Sequence, residues 1–186
     1  VDCEGMCGGS SLLDDCGICN GENVSQDDCG VCGGDNSSCT ASLILGDFDV
    51  DNRTLEILYD SPQNIGGFQF SITGLSITNA IGGISELLNF SINISNDNET
   101  IVGFSLQGYV IPSGLDTLTI LQFDEILEPI TSIENAILSY PNGTGQLIVN
   151  LEGMIDHGVP DCQGNYYGDS HDWDEDGICD EEDDCV

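Results

Sequence analysis

The sequence predicts an all-β protein: an antiparallel β-sandwich of about eight or nine strands, flanked by disulfide-stapled, loop-rich terminal segments. Three observations lead to this prediction. Residues 41–155 alternate apolar and polar side chains with period 2, all ten cysteines lie outside that stretch, and both ends are rich in Gly and Asp. Short strands with one apolar face pack as a sandwich, whereas ends without a core need covalent or metal staples.

The chain has 186 residues and divides by composition into three segments. Seven cysteines lie in residues 1–39, none in 40–161 and three in 162–185, while 12 of the last 31 residues are acidic. We therefore predict a Cys-rich ladder over residues 1–40, a sandwich over 41–155 and an acidic calcium-binding tail over 156–186. Because Val1 starts inside the Cys-rich pattern, we expect the chain to be cut from a longer precursor.

The amino-terminal segment contains a repeat with a period of 13. Residues 14–21 (DDCGICNG) recur as residues 27–34 (DDCGVCGG), and Cys3 lies 13 residues before Cys16. Residues 2–9 then form a degenerate first unit. Stacked copies of one loop predict a small ladder in which each turn leans on the next.

Cysteine at this density predicts disulfides and an oxidising, extracellular compartment. A zinc site is the alternative, but only nine residues separate Cys19 from Cys29, too few for two paired C-x2-C knuckles. The predicted disulfide cysteines are Cys3, Cys7, Cys16, Cys19, Cys29, Cys32, Cys39, Cys162, Cys179 and Cys185.

The sequence leaves the connectivity of these cysteines open. A nearest-neighbour ladder would join Cys7–Cys16, Cys19–Cys29, Cys32–Cys39 and Cys162–Cys179, with Cys3 and Cys185 left over. Each end has an odd count, so either one bridge crosses between the ends or each chain pairs with its neighbour.

The strand candidates of the middle segment are short and separated by Gly, Pro and Asn. They include residues 42–45, 54–58, 68–73, 88–95 and 136–138, and residues 80–88 are expected to hold a short helical turn. In 88–95 the apolar side chains share one face, so Asn89 and Asn93 project from the other.

Asn-x-Ser/Thr sequons exceed the number that composition predicts, which indicates an N-glycosylated surface. The predicted glycosylation sites are Asn23, Asn36, Asn52, Asn89, Asn93, Asn98 and Asn142.

The formal net charge is −33, with Arg53 as the single basic residue. Nucleic acids and anionic membrane surfaces are therefore excluded as partners, since both need Lys or Arg. No apolar run approaches the ~18 residues of a membrane span, so no membrane insertion is expected. Such a charge attracts cations instead, above all Ca²⁺, which binds oxygen ligands.

The tail contains the spacing of a twelve-position Ca²⁺ loop, D-x-D-x-D-G-x-x-D-x-x-D, over residues 172–183. Carboxylates would come from positions 1, 3, 5, 9 and 12, and a backbone carbonyl from position 7. The predicted metal ligands are Asp172, Asp174, Asp176, Ile178, Asp180 and Asp183. A solvated acidic tail is the alternative interpretation.

No catalytic constellation is evident, so the chain is predicted not to be an enzyme. The two histidines, His157 and His171, lie in the acidic tail next to no Ser or Cys nucleophile.

Three stretches resemble known families. Residues 172–185, with Cys179 inside and Cys185 beyond the loop, resemble a thrombospondin type-3 repeat, which implies Ca²⁺-dependent rigidity. Residues 28–39 (DCGVCGGDNSSC) resemble Cys-rich repeats of large secreted proteins of marine bacteria and algae, and a short stretch of ADAMTS proteases. No H-E-x-x-H motif is present, so protease activity does not follow. Residues 41–153, around Ile65-Gly66-Gly67-Phe68-Gln69-Phe70, resemble cohesin-like sandwich domains, which implies adhesion or scaffolding.

Two functions are expected from these features. The first is an extracellular structural protein: a glycosylated, calcium-stabilised filament or surface assembly whose copies self-associate head to tail through their terminal modules. The alternative is a monomeric adhesion or cohesin-like binding module that recognises a protein or glycan.

Overall fold

The structure is a computed structural model that describes residues 1–95, 97, 99–141, 143, 145–173 and 178–180. The chain divides into two compact units, Val1–Thr40 and Ala41–Val186. Each unit is described by itself.

The second unit is a sandwich of two five-stranded sheets. Its elements are β1 (Thr40–Asp49), β2 (Thr54–Ser61), β3 (Gly67–Thr73), β4 (Leu75–Ile81), α1 (Gly83–Leu87), β5 (Ser91–Ile94), β6 (Thr100–Phe104), β7 (Gly114–Ile126), β8 (Ile130–Ser139), β9 (Ile148–Glu152) and β10 (Ile155–Asp156).

The strand orders of the two sheets are β4-β7-β2-β1-β9 and β10-β8-β3-β6-β5. The pairs β1–β2, β2–β7, β4–β7, β3–β6, β3–β8, β5–β6 and β8–β10 are antiparallel. The predicted all-β sandwich is therefore confirmed.

The core lies between the two sheets and consists of alternate residues of each strand. In β2 the fully buried side chains are Leu55, Ile57 and Tyr59, and in β3 they include Phe70 and Ile72. The period-2 pattern places these side chains on one face because successive Cβ atoms of a strand point to opposite sides. The apolar side chains of the period-2 pattern therefore form the core of the sandwich.

The loop between β4 and β5 departs from the strand predicted over residues 88–95. The expected helical turn is α1, and the following Asn89 has a φ of 54°, so the extended conformation begins only at Ser91. Phe90 is buried and its ring lies 6.2 Å from that of Phe68. The strand is therefore shorter than predicted, because residues 88–90 form the turn that follows the helix.

The acidic tail packs onto the sandwich through His157. The imidazole is buried, with Nε2 2.8 Å from the Thr131 hydroxyl of β8 and Nδ1 3.0 Å from the Tyr167 hydroxyl. The Phe48 ring of β1 lies 5.0 Å from that of His157 and 6.4 Å from that of Tyr167. This cluster fixes the first part of the tail against the sandwich.

Within the part of the chain that the structure describes, no helix is long and apolar enough to cross a membrane.

Candidate functional site

The amino-terminal unit is built from three loops of one design, each organised around an aspartate. Loop 1 comprises residues 2–11, loop 2 residues 14–23 and loop 3 residues 27–36. In loop 3, Asp27 Oδ1 accepts the Cys29 and Val31 amides at 3.0 and 2.8 Å, and Oδ2 accepts the Asn36 amide at 2.8 Å. Asp2 and Asp14 accept the corresponding amides of their own loops. Each carboxylate thereby fixes the backbone of the loop around it.

A fourth loop of the same design lies in the tail, over residues 161–170. Asp161 Oδ1 accepts the Asn165 amide at 2.7 Å and Oδ2 accepts the Ser170 amide at 3.4 Å, as Asp2 does with Met6 and Ser11. The spacing of cysteines does not reveal loop 4, because this loop contains one cysteine instead of the two found in loops 1, 2 and 3. The signal it shares with loop 1 is D-C-x-G-x-x-x-G-x-S.

The hydrogen bonds also correct the register of the repeat. They make Asp2 equivalent to Asp14, twelve residues later, and not to a position 13 residues later. Cys3 is therefore not the counterpart of Cys16. Instead, Cys7 corresponds to Cys19 and Cys32, since each follows its central aspartate by five residues.

The central carboxylates are bound to backbone amides. Hydrogen bonds from backbone amides hold the pKa of each central carboxylate below the usual 3.8. The largest effect comes from Met6 on Asp2, from Val31 on Asp27 and from Asn165 on Asp161. No group of three or more His, Cys, Asp or Glu among the described residues is arranged to hold a metal ion.

The prediction of disulfides is confirmed for eight cysteines, but the nearest-neighbour ladder is wrong for three of its four pairs. The structure joins Cys3–Cys19, Cys16–Cys32, Cys29–Cys39 and Cys162–Cys179, with sequence separations of 16, 16, 10 and 17. Only Cys162–Cys179 agrees with the nearest-neighbour pairing. Stacking explains the difference, because Cys3–Cys19 joins loop 1 to loop 2 and Cys16–Cys32 joins loop 2 to loop 3, while Cys29 bonds Cys39 just beyond loop 3.

Cys7 was expected in a disulfide, whereas in the structure it is a free, exposed thiol. Its counterparts Cys19 and Cys32 each bond a cysteine 16 residues earlier. Cys3, which the nearest-neighbour ladder left over, is bonded. Cys185 lies outside the described residues.

The predicted calcium loop is described only in part. Asp172, Ile178 and Asp180 are described, whereas Asp174, Asp176 and Asp183 lie outside the described residues. Asp180 Oδ1 accepts the Trp173 amide at 3.0 Å, and the Asp180 amide donates to the His171 carbonyl at 2.8 Å. The second contact matches that of the Asn20 amide with the Leu12 carbonyl in the amino-terminal ladder.

The sequons occupy two kinds of environment. Asn89 and Asn93 are exposed, and Asn93 lies on the outward face of β5. In contrast, three other sequon asparagines donate hydrogen bonds from their side-chain Nδ2 atoms to nearby aspartate carboxylates. The pairs are Asn23–Asp15 at 3.0 Å, Asn36–Asp28 at 3.0 Å and Asn52–Asp49 at 2.7 Å. Asn98 and Asn142 lie outside the described residues.

A shallow apolar groove lies between α1 and β7, with a volume of about 650 Å³. We call it the α1 groove; its apolar lining is Ile84, Leu87 and Ile120, and Glu86 and Asp116 also line it. The Ser85 hydroxyl donates to the Leu118 carbonyl at 2.7 Å, which holds α1 against the strand. Leu87 is 78% exposed.

A second cleft, of about 610 Å³, lies between loop 4 and the β1–β2 turn. It is lined by Arg53, Asn165 and Tyr166 together with Asp124 and Glu125. The Arg53 guanidinium donates to the Asp124 carbonyl at 2.8 Å. The single basic side chain therefore supports the end of β7.

Neither histidine lies in a catalytic arrangement in the structure. His157 contacts Thr131 and Tyr167, and burial lowers its pKa below 6.5, an effect that the nearby Asp156 charge partly opposes. His171 packs against Trp173, with their rings 5.2 Å apart. That the chain is not an enzyme stays a prediction.

The four disulfides indicate folding in an oxidising environment.

No protein-family model and no curated protein matches this chain. Among solved structures, the chain is similar to a non-cellulosomal cohesin from the hyperthermophilic archaeon Archaeoglobus fulgidus, with a TM-score of 0.44 and 14% identity. The similarity covers 61% of this chain and 86% of that one.

Proposed function

We propose that this protein is a non-catalytic, extracellular binding module that recognises a protein partner through the α1 groove. The observation that carries this proposal is an exposed apolar side chain, Leu87, beside Ile84 and Ile120 in a groove that two carboxylates also line. Interfaces of this kind combine a small apolar centre with a polar rim.

The surroundings of the groove enlarge its apolar surface. Leu115 and Ile81 directly adjoin groove residues in sequence, and both are exposed. The groove lies on the regular part of the sandwich, with α1 anchored by the bond from Ser85 to Leu118. A fixed recognition surface loses little conformational entropy on binding.

Charge defines the partner further. The chain carries a formal charge of −33, and Glu86 and Asp116 belong to the groove itself. A partner with an apolar side chain flanked by Lys or Arg complements this surface, and opposite charges also accelerate association.

A peptide selection tests the proposal. Random peptides displayed on phage are selected on the immobilised chain, and the binders are synthesised and measured by calorimetry. We expect enriched sequences to place an apolar residue next to Lys or Arg. Leu87→Ser should weaken their binding by about fivefold or more, which corresponds to roughly 1 kcal/mol.

Leu106→Ser is the matched control, since Leu106 is 77% exposed but does not line the groove. It should leave the affinity unchanged. Selected peptides without basic residues, or equal weakening by both substitutions, would contradict the groove as the binding site.

A second candidate function is that of a structural subunit whose copies join end to end. The specific observation in its favour is that loops of one design lie on both sides of the sandwich in the sequence, at residues 2–11 and 161–170. Head-to-tail contacts between unlike surfaces produce fibres when the rotation does not close. Negative-stain imaging of concentrated protein tests this function, and particles that stay monomeric under all conditions would exclude it.

Calcium and N-glycans belong to the proposed function as well. Ca²⁺ would bind in the tail, where Asp172 and Asp180 belong to the predicted ligand spacing. Glycans would lie on exposed sequons, and secretion would supply both the oxidising compartment and the glycans.

A further inference from the structure

The cleft between loop 4 and the β1–β2 turn has the size of a small-molecule site, and we call it the loop 4 cleft. Its volume of about 610 Å³ falls within the roughly 300–1,000 Å³ of such sites. Three separate segments contribute its polar lining: Arg53 in the turn, Asp124 and Glu125 near the end of β7, and Asn165 with Tyr166 in loop 4. Guanidinium, carboxylate, amide and aromatic groups therefore line one cavity.

Loop 4 departs from the pattern of the other loops at three consecutive residues. The first two, Asn165 and Tyr166, line the cleft, and the third, Tyr167, bonds His157 through its hydroxyl at 3.0 Å. At the first position loops 1, 2 and 3 carry the apolar residues Met6, Ile18 and Val31, and at the second they carry Cys7, Cys19 and Cys32. Loops 1 and 4 keep equivalent hydrogen bonds around the central aspartate, so these changes alter the side chains that the loop presents and not its backbone.

Arg53, the only basic residue of the chain, adopts a conformation that is uncommon for a side chain of its size. Its φ is 53°, in the left-handed region that favours Gly and Asn. Its amide donates to the Val50 carbonyl at 3.3 Å, and its carbonyl accepts the Phe123 amide at 3.1 Å. Nη1 donates to the Asp124 carbonyl at 2.8 Å, the one hydrogen bond of the guanidinium among the described residues. Because a guanidinium has several N–H donors, others remain for a ligand.

A β-bulge in β7 brings two carboxylates to the same cleft. Ser76 and Ile77 of β4 pair with Glu125 and Phe123, so Asp124 lies opposite no residue of β4. Consecutive residues of a regular strand point to opposite faces, and a bulge interrupts this alternation. Asp124 and Glu125 are accordingly both exposed and both line the cleft.

The charges that line the cleft narrow the class of ligand. Arg53 repels a cation, whereas Asp124, Glu125 and the formal charge of −33 repel an anion. A neutral ligand is not repelled. The guanidinium only donates hydrogen bonds, the carboxylates only accept them and the Asn165 amide does both, so hydroxyl groups, which donate and accept, complement this lining.

We propose that the loop 4 cleft binds a neutral saccharide. The Tyr166 ring is half-buried, with its centroid 5.9 Å from that of His157, and offers an apolar surface to the C–H groups of a sugar ring. Arg53, Asn165 and the two carboxylates bind its hydroxyl groups. This site goes beyond the proposed function, because it shares no lining residue with the α1 groove.

A glycan array tests the proposal, with protein from a host that adds no N-glycans, so that the chain's own glycans do not compete. The array presents neutral hexose and N-acetylhexosamine oligosaccharides beside others that contain uronates, and calorimetry measures the affinity of those bound. We expect neutral oligosaccharides to bind. Asn165→Val should weaken their binding by about fivefold or more through loss of the amide. Loop 4 should still fold, because loop 3 carries Val31 at the same position.

Val31→Asn, the reverse substitution in loop 3, is the matched control and should leave the affinity unchanged. Arg53→Asn removes the guanidinium but keeps a residue that adopts the left-handed conformation readily, so it should weaken binding by about tenfold without lowering the denaturant midpoint. Since the saccharide contacts both loop 4 and the sandwich, saturating amounts should also slow proteolysis of the tail, and both cleft variants should lose this protection.

Three results would overturn the proposal: no binding of any neutral oligosaccharide on the array, preference for uronates, or equal weakening by Asn165→Val and Val31→Asn. Leu87→Ser should leave saccharide binding unchanged. Failure of the protein-binding function is therefore distinguishable from failure of the saccharide site.

Discussion

The carboxylate of Asp161 occupies the space that a Cβ atom on Gly168 would need. A Cβ built at Gly168 lies 2.0 Å from Asp161 Oδ2, and the corresponding distances are 1.9 Å from Gly9 to Asp2, 2.2 Å from Gly21 to Asp14 and 2.0 Å from Gly34 to Asp27. One aspartate and one glycine therefore determine the shape of each loop, whatever cysteines the loop carries.

We predict that Gly168→Ala destabilises loop 4 and loosens the tail from the sandwich. The added methyl group must displace a carboxylate that holds two backbone amides, and overpacking of this kind costs about 1–3 kcal/mol. Limited proteolysis of the tail and the denaturant midpoint measure the effect. Gly145→Ala is the control, since its nearest contact would be an ordinary 3.5 Å from Tyr140; equal effects of both substitutions would contradict the prediction.

Acid should open the loops before it unfolds the sandwich. The folded pKa values of Asp2, Asp27 and Asp161 lie below 3.8, so the stability that these carboxylates contribute is present above pH 3.8 and is lost as the pH falls through the folded pKa. The Val31 and Asn165 amide resonances should shift between about pH 4 and pH 2 in NMR spectra. Amide shifts that stay constant over this range would show that the carboxylates do not hold the loops.

The attachment of the tail should weaken as the pH falls below 6.5. Because burial lowers the pKa of His157, the neutral imidazole favours the fold, and its contribution is complete above 6.5 and decreases as the pH falls through the folded pKa. Thermal unfolding should therefore show a pH dependence below 6.5 that His157→Gln reduces. His171→Gln is the matched control, because His171 is exposed; if it has the same effect, the dependence does not arise at His157.

Calcium should change the fluorescence of Trp173, the only tryptophan of the chain. Trp173 directly follows Asp172, and its amide donates to Asp180, so ion binding at these ligands alters its surroundings. We expect a saturable fluorescence change on Ca²⁺ addition that EDTA reverses. Asp172→Asn should lower the apparent Ca²⁺ affinity by about tenfold, or roughly 1.4 kcal/mol. Asp47→Asn is the control away from the tail. A spectrum that stays unchanged at millimolar Ca²⁺ would remove calcium from the proposed function.

Glycans should be attached more often to exposed sequon asparagines than to those whose side-chain amides are hydrogen-bonded within a loop. Asn89 and Asn93 are exposed, whereas Asn23 and Asn36 already use their amide hydrogens within loops 2 and 3. Glycopeptide mass spectrometry of protein from a glycosylating host should therefore find higher occupancy at Asn89 and Asn93. Full occupancy at Asn23 with none at Asn93 would show that the loop hydrogen bonds do not control the modification.

The sandwich can be predicted from the sequence alone, because the period-2 pattern follows from strand geometry and needs no information from distant residues. Leu55 and Ile57 of the predicted strand 54–58 could be assigned to the core for this reason. The sequence also placed the disulfides in the two ends, where Gly and Asp leave too little apolar surface for a core.

In contrast, which loops pair with each other and how the tail attaches to the sandwich depend on tertiary contacts. The pairing of Cys3 with Cys19 depends on which loops stack, and the stacking of loop 2 on loop 1 is seen in the hydrogen bonds from the Asn20 side-chain amide to Glu4 and Ser11, not in the spacing of cysteines. The contact of His157 with Tyr167 and the groove beside Leu87 likewise join residues of separate elements. A local pattern specifies a strand or a loop, but only the packing of those elements decides which side chains meet.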